Sequence, residues 1–193
     1  MRDAAFGLFA KAGFANVTVE EISAAAGVTE RTFFRHFPTK EDVLFSDGEA
    51  IVQELIAAVR SVPSSANGMG MIRMAVKTLA ASFDSDRDHH RLRSGIINGY
   101  PALHERELLK QHHIAAAIAD ELIARNVSRD RAMTMAGVGL VVFQVAYRSW
   151  TTDNTNLTLA TRIERGLEHL GSDLGNQAVR PGEQQLPKPR TSS

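Results

Sequence analysis

The chain has no cysteine, so a disulfide framework, a thiolate metal site and a catalytic thiol are all excluded. It has no excess of charge: 22 basic side chains balance 22 acidic ones. Any attraction to a polyanion must then come from a local patch rather than an overall field. Even residues 1–45 are not basic, since Arg2, Lys11, Arg31, Arg35 and Lys40 face Asp3, Glu20, Glu21, Glu30, Glu41 and Asp42. That disfavours nonspecific coating of nucleic acid and favours geometric docking. A long apolar run is missing too. The charge-free stretch from Ala132 to Tyr147 falls short of the ~20 residues a bilayer needs and is interrupted by Gln144, so it reads as a buried helix and no membrane partner is expected. The N-terminus lacks a signal-peptide pattern, which makes the cytoplasm the expected compartment. Five of the seven histidines lie at 89, 90, 104, 112 and 113, but no His-Glu-x-x-His motif joins them, so neither a metal nor a cofactor is expected.

What is present is enough for a core. With 193 residues, 44 % of them apolar, the chain can fold as one sizeable core or two small domains. The most informative stretch runs from Thr18 to Phe45. Thr18 and Glu21 form a capping-box pattern, so a helix is expected from Val19, with Val19, Ile22 and Ala26 inward. Gly27 ends it, since only glycine makes that turn without steric penalty. Thr29 caps a second helix that must stop by Phe37, because Pro38 cannot continue it. Thr39 is expected to cap a third, running from Lys40 to about Arg60. On the second helix Phe33 and Phe37 share one face, while Arg31, Thr32 and Arg35 form a ridge on the other. Two capped helices joined by a glycine turn meet the requirement of a helix-turn-helix. The outward ridge suits a major groove, where a guanidinium fork takes guanine O6 and N7 together.

The run GVTERTFFRHFPTKEDVL (27–44) resembles the DNA-binding segment of TetR-type bacterial regulators. The family pattern is Gly-Val-Ser/Thr, then an aromatic or leucine, then Tyr-x-His-Phe-x-x-Lys. The resemblance implies that Thr29, Glu30, Arg31, Thr32 and Arg35 approach bases and that Phe34, His36 and Lys40 hold phosphates. One position departs: the family usually has tyrosine where this chain has Phe34, so no hydroxyl is available there. The layout RLRSGIINGYPALHEREL (91–108) resembles actinobacterial members that respond to fatty-acyl thioesters or other apolar ligands.

Beyond the motif, helical periodicity runs on. Arg2–Ala12 is expected to be the first helix. SVPSSANG (61–68) reads as a loop, residues 69–83 as a helix, 84–90 as a polar turn and Arg91–Asn98 as a short helix. Pro101 opens a long helix to about Arg125, with Leu108, His112, Ala115, Ala119 and Leu122 inward. The expected architecture is all-α: a helix-turn-helix DNA-binding domain (1–47), a helical-bundle effector and dimerisation domain (48–174) and a disordered tail (175–193). The effector is expected near Met74, Asn98, His113, Gln144 and Tyr147. Small residues on the stripe Ala136, Gly139, Phe143 and the heptad stripe Ile163, Leu167, Leu170, Leu174 are expected to form a homodimer seam, the alternative being burial within one subunit. Altogether the resemblance implies a repressor that binds a palindromic DNA operator as a dimer and is released by a small, largely apolar effector. The alternatives are an adaptor controlled by a protein partner or a helical-bundle enzyme, and the second lacks any paired acids or Glu-x-x-His repeat.

Overall fold

A computed structural model describes residues 1–63 and 68–177. Among them are nine α-helices and no strand. Helix α1 (Arg2–Ala12), α2 (Val19–Ala25) and α3 (Glu30–His36) form the N-terminal reader. The capping box is formed in full: Glu21 N–H donates to Thr18 Oγ1 at 3.2 Å, and Thr18 N–H donates to Glu21 Oε2 at 2.8 Å. Gly27 turns the chain at φ +66°, and Thr29 Oγ1 accepts from Thr32 N–H at 3.2 Å to start α3. Phe33 is wholly buried among Phe6, Phe9, Ile22 and Leu44. Of the inner face expected on α2, Ile22 is buried, while Val19 and Ala26 are only half-buried.

The helix expected from Lys40 onward is interrupted. Asp42 Oδ2 accepts from both the N–H and the hydroxyl of Thr39 at 2.7 Å, so the cap runs from Asp42 back to Thr39, opposite to expectation. This tightens Glu41–Phe45 into a 3-10 turn, and α4 (Gly48–Ser61) begins anew after Asp47. The second region follows with α5 (Gly68–Phe83), α6 (Arg87–Gly99), α7 (Pro101–Ala124), α8 (Arg129–Thr152) and α9 (Leu159–Gln177). Helix α6 starts four residues earlier than its periodicity suggests, because Asp86 Oδ1 accepts from His89 N–H at 3.2 Å. The loop at 61–68 is described only in part, and of the expected tail residues 178–193 lie outside the described residues, while α9 continues through 175–177.

The second core gathers Leu55, Ile72, Leu122, Ala136, Trp150 and Ile163 from five helices. It leaves Leu108 half exposed and His112 exposed on α7, where the inward stripe is Leu103, Ile114, Ile118 and Leu122. The expected inner stripe on α7 is therefore corrected in its first half. The reader's core is not self-contained: Ile96 and Ile97 of α6 and Leu103 of α7 complete it.

Candidate functional site

The reader presents its polar ridge outward. Thr29, Glu30, Arg31, Arg35 and His36 are exposed and Thr32 is half-buried. Among the described residues neither Arg31 nor Arg35 has a hydrogen bond or ion pair, so both guanidinium forks are unengaged on the surface opposite Phe33. The hydroxyls of Thr29 and Thr32 lie 3.1 Å apart and serve the cap. Phe34 is 49 % exposed, its ring edge-on to Phe33 at 5.6 Å. An exposed phenyl on an otherwise polar helix suits contact with sugar or a thymine methyl. Lys40 is placed differently from the other ridge residues. Its ammonium donates to the carbonyls of Phe14 and Val17, each at 2.8 Å, and sits 4.4 Å over the Phe14 ring. It ties the α1–α2 connection together, which leaves at most one of its three donors for a phosphate.

The second region holds a partly open cavity of about 200 Å³. Apolar side chains such as Leu55, Leu79, Phe83, Ile118 and Phe143 line it together with polar ones from Asp47, α6, α7 and α8. Of the residues expected to meet an effector, Asn98, Gln144 and Tyr147 line this cavity. Met74 and His113 do not: Met74 is 46 % exposed and His113 is also turned to the surface. Both lie on outer faces of helices whose inner faces are taken by Met71, Ile72 and Ile114.

The polar lining goes beyond what the helical pattern suggests. Arg93 is buried; its Nε–H donates to the Leu44 carbonyl at 2.7 Å and its Nη2 to Glu107 Oε2 at 2.6 Å. Lys110 lies 3.3 Å from the same carboxylate oxygen. Burial pushes the Glu107 carboxyl up, but Arg93 and Lys110 outweigh it and hold it below its ordinary value. Burial pulls the Lys110 ammonium down. His90 stacks on Phe83 with ring centroids 4.2 Å apart, and burial lowers it to about 4. Tyr147, its hydroxyl 3.3 Å from His90 Nδ1, is raised by burial to about 12. Both are therefore neutral at pH 7 and act as hydrogen-bonding groups, not charges. A signal for this lining does exist in the sequence: Arg93, Ile96 and Ile97 share one helical face, as do Glu107, Lys110 and Gln111. Only their burial is not readable there.

The cavity's polar lining touches the reader. Arg93 grips the Leu44 carbonyl and lies 5.5 Å over the Phe45 ring. Arg106 pairs with Asp42 and covers the same ring at 4.3 Å. Asp42 in turn caps the turn just after α3.

The expected dimer seam is corrected. A Cβ on Gly139 would lie 2.5 Å from Ile72 Cγ2, so the close approach served by this glycine is to α5 of the same chain. Ala136, Ile163 and Leu167 are buried in the same core, and Phe143 packs on Phe83 and Tyr147. Only Leu170 faces outward, into a groove between α8 and α9. The side chain of Leu174 lies outside the described residues.

An exposed basic-and-aromatic reading helix, followed by a helical domain that contacts the turn after it through Arg93, defines a DNA-binding regulator. Residues 2–46 match the model for bacterial regulatory proteins of the tetR family, and residues 67–175 match the MftR C-terminal domain. The chain belongs to the TetR family of transcriptional regulators, which are not enzymes. It is 26 % identical over 179 residues to the mycofactocin biosynthesis transcriptional regulator MftR of Mycobacterium tuberculosis, covering 89 % of this chain and 88 % of that one. It is 27 % identical over 187 residues to TcmR of Streptomyces glaucescens, covering 91 % and 83 %. Among solved structures, Thermus thermophilus FadR in complex with lauroyl-CoA shares the fold, with a TM-score of 0.59, 21 % identity and 97 % of each chain covered. Among the described residues no helix is long and apolar enough to cross a membrane.

Proposed function

We propose that this regulator is a cytoplasmic repressor: a dimer that holds two reading helices on a palindromic operator and lets go when a small, largely apolar effector enters the cavity. The observation that carries the reading is the Arg93 contact, because one guanidinium both lines the cavity and holds the Leu44 carbonyl beside the reader. An effector that displaces Arg93, or stiffens its surroundings, changes how α3 is carried relative to the rest of the subunit. On the DNA side, Arg31 and Arg35 are the proposed guanine readers. Thr29, Glu30 and Thr32 lie beside them, while Phe34, His36 and the remaining donor of Lys40 meet the backbone.

The dimer partner is a second copy, seated on the outer face of α8 and α9. Val141 and Val145 are 56 % and 66 % exposed there, and the groove beside them is lined by Gly137, Val138, Gly166 and Leu170. Soluble proteins rarely leave such a patch uncovered, and a two-fold pair matches a palindromic operator. Domain limits at 47 and 174 belong to the same reading.

The cavity is smaller than the ~300–1,000 Å³ of drug-sized sites, so an effector is small or only part of it inserts. An acyl chain with its thioester group outside is the second reading, supported by the shared fold of the lauroyl-CoA-bound protein. Selection of bound duplexes from a random pool, followed by titration with candidate effectors, tests the whole. A palindrome that is released by a small apolar ligand supports the repressor. A palindrome bound with equal strength whatever small molecule is added points to an adaptor controlled by a protein.

A further inference from the structure

The least satisfied polar group in the cavity is Asp47. This residue occupies the N-cap position of α4, where an aspartate ordinarily accepts from the helix's first N–H groups. Here its backbone is already helical, at φ −94° and ψ −2°, and its side chain accepts no capping bond. The carboxylate instead lines the cavity, with Oδ1 buried and without a hydrogen-bond partner. A buried carboxylate oxygen left bare is costly, since it forfeits water and gains nothing in return. Two of the lining cations are otherwise occupied, Arg93 by Leu44 and Glu107 and Lys110 by Glu107, and the third, Arg148, is exposed to solvent.

From this we infer that Asp47 is the recognition group for the effector's polar end, and that this end is an uncharged hydrogen-bond donor, a hydroxyl or an N–H. The inference rests on the proposed effector role of the cavity. Charge on the ligand is disfavoured from both sides. An anion would meet the bare Asp47 carboxylate, while an ammonium would enter beside Arg93 and Lys110. The two cations already share Glu107 and gain nothing from a third charge. The apolar body of the ligand would lie against Phe83, Phe143 and Leu79. A bare thioester head has no donor, so the inference narrows the effector away from that class. Asp47 also stands three residues after Leu44, at the start of the helix that leaves the reader. A donor bound there acts at the joint between the two regions.

Three probes of one body separate the alternatives: 2-phenylethanol, its methyl ether and phenylacetate, titrated calorimetrically into the full chain at neutral pH. The alcohol should bind about tenfold more tightly than either of the others, the worth of one hydrogen bond to a charged acceptor. Asp47→Leu should bring the alcohol down to the level of the ether while the ether itself binds as before. Asp47→Asn, which keeps the shape and adds an N–H, should narrow the gap between alcohol and phenylacetate; it also serves if the leucine variant does not fold. Equal binding of alcohol and ether, or a preference unchanged in the folded variants, overturns the inference and leaves the effector cavity standing. Failure of all three probes to bind overturns both.

Discussion

The reader and the cavity region solve opposite problems with the same kind of helix. In the reader the interior is mostly apolar, closed by Phe6, Phe9, Ile22 and Phe33, and Arg31 and Arg35 point outward from a face that gives them no internal partner. In the second region the functional side chains point inward, and a buried Arg93–Glu107–Lys110 cluster stands where the reader has rings, aliphatics and the Ser23 hydroxyl. A surface that meets DNA can leave its arginines in water until the phosphates arrive. A cavity that senses a small molecule must bury polar groups in advance, and each of them needs a partner. Changes in the reader should therefore alter binding without altering stability, whereas changes at the cavity should do the reverse first.

The sharpest break of that contrast is Gly139→Arg. The new side chain begins 2.5 Å from Ile72 and carries a charge into the core, so the second region should lose its fold. Circular dichroism should show lost helicity; a folded monomer would instead restore the idea that this stripe is a dimer seam. Next in size is Arg93→Ala, which strips Glu107 of its buried partner. By the usual cost of breaking such a pair, urea unfolding should register a loss of about 3–5 kcal/mol. Substitution by methionine, which fills the space without addressing the charge, should lose less.

An acid titration distinguishes the regions further. His90 has a folded pKa of about 4 against an ordinary value of 6.5. Between those values the unfolded chain takes up a proton that the folded chain refuses, so stability is complete above pH 6.5 and falls as pH drops towards 4. The loss should be about 2–3 kcal/mol. In His90→Phe, which can keep the stack on Phe83, that part of the pH dependence should vanish. Glu107, whose folded pKa is depressed, adds a further loss at lower pH as it is protonated.

On the reader side the effects are smaller and of another kind. Arg31→Ala or Arg35→Ala should each cost about 1–3 kcal/mol of operator affinity and relax one base position, with the melting temperature unchanged. If both variants discriminate as well as the parent, neither arginine reads a base. Phe34→Tyr should produce the least change: a hydroxyl added at an exposed ring should tighten binding by up to about 1 kcal/mol for all sequences alike, since phosphate contacts position without specifying. Anisotropy against several duplexes checks it, and a gain confined to one sequence would speak against a phosphate contact.

Much of the reader is legible in the order of its residues. The capping box at Thr18 and Glu21, the turn at Gly27, the cap at Thr29 and the stop at Pro38 are local devices, decided by residues three or four apart. The outward ridge and inward Phe33 follow from helical spacing alone. The cavity is half legible: Asn98, Gln144 and Tyr147 stand out as polar residues on apolar stripes, while Met74 and His113 fall on faces that turn outward. Stripes of small residues are the least legible, because Gly139 and Ile163 would look the same whether a neighbouring helix belonged to this chain or to another.

By itself, then, the sequence determined the first three helices, the caps at Thr18 and Thr29 and the face of α3 that meets solvent, because those depend on short-range hydrogen bonds and on the 3.6-residue period. Only the tertiary structure decided the rest. It paired Arg106 of α7 with Asp42, brought Arg93 of α6 to the Leu44 carbonyl and left Asp47 facing a cavity without a partner. The physical reason is range: which of several equivalent apolar stripes a helix buries depends on the shapes of helices dozens of residues away. Whether a charge is then solvated or enclosed depends on that choice.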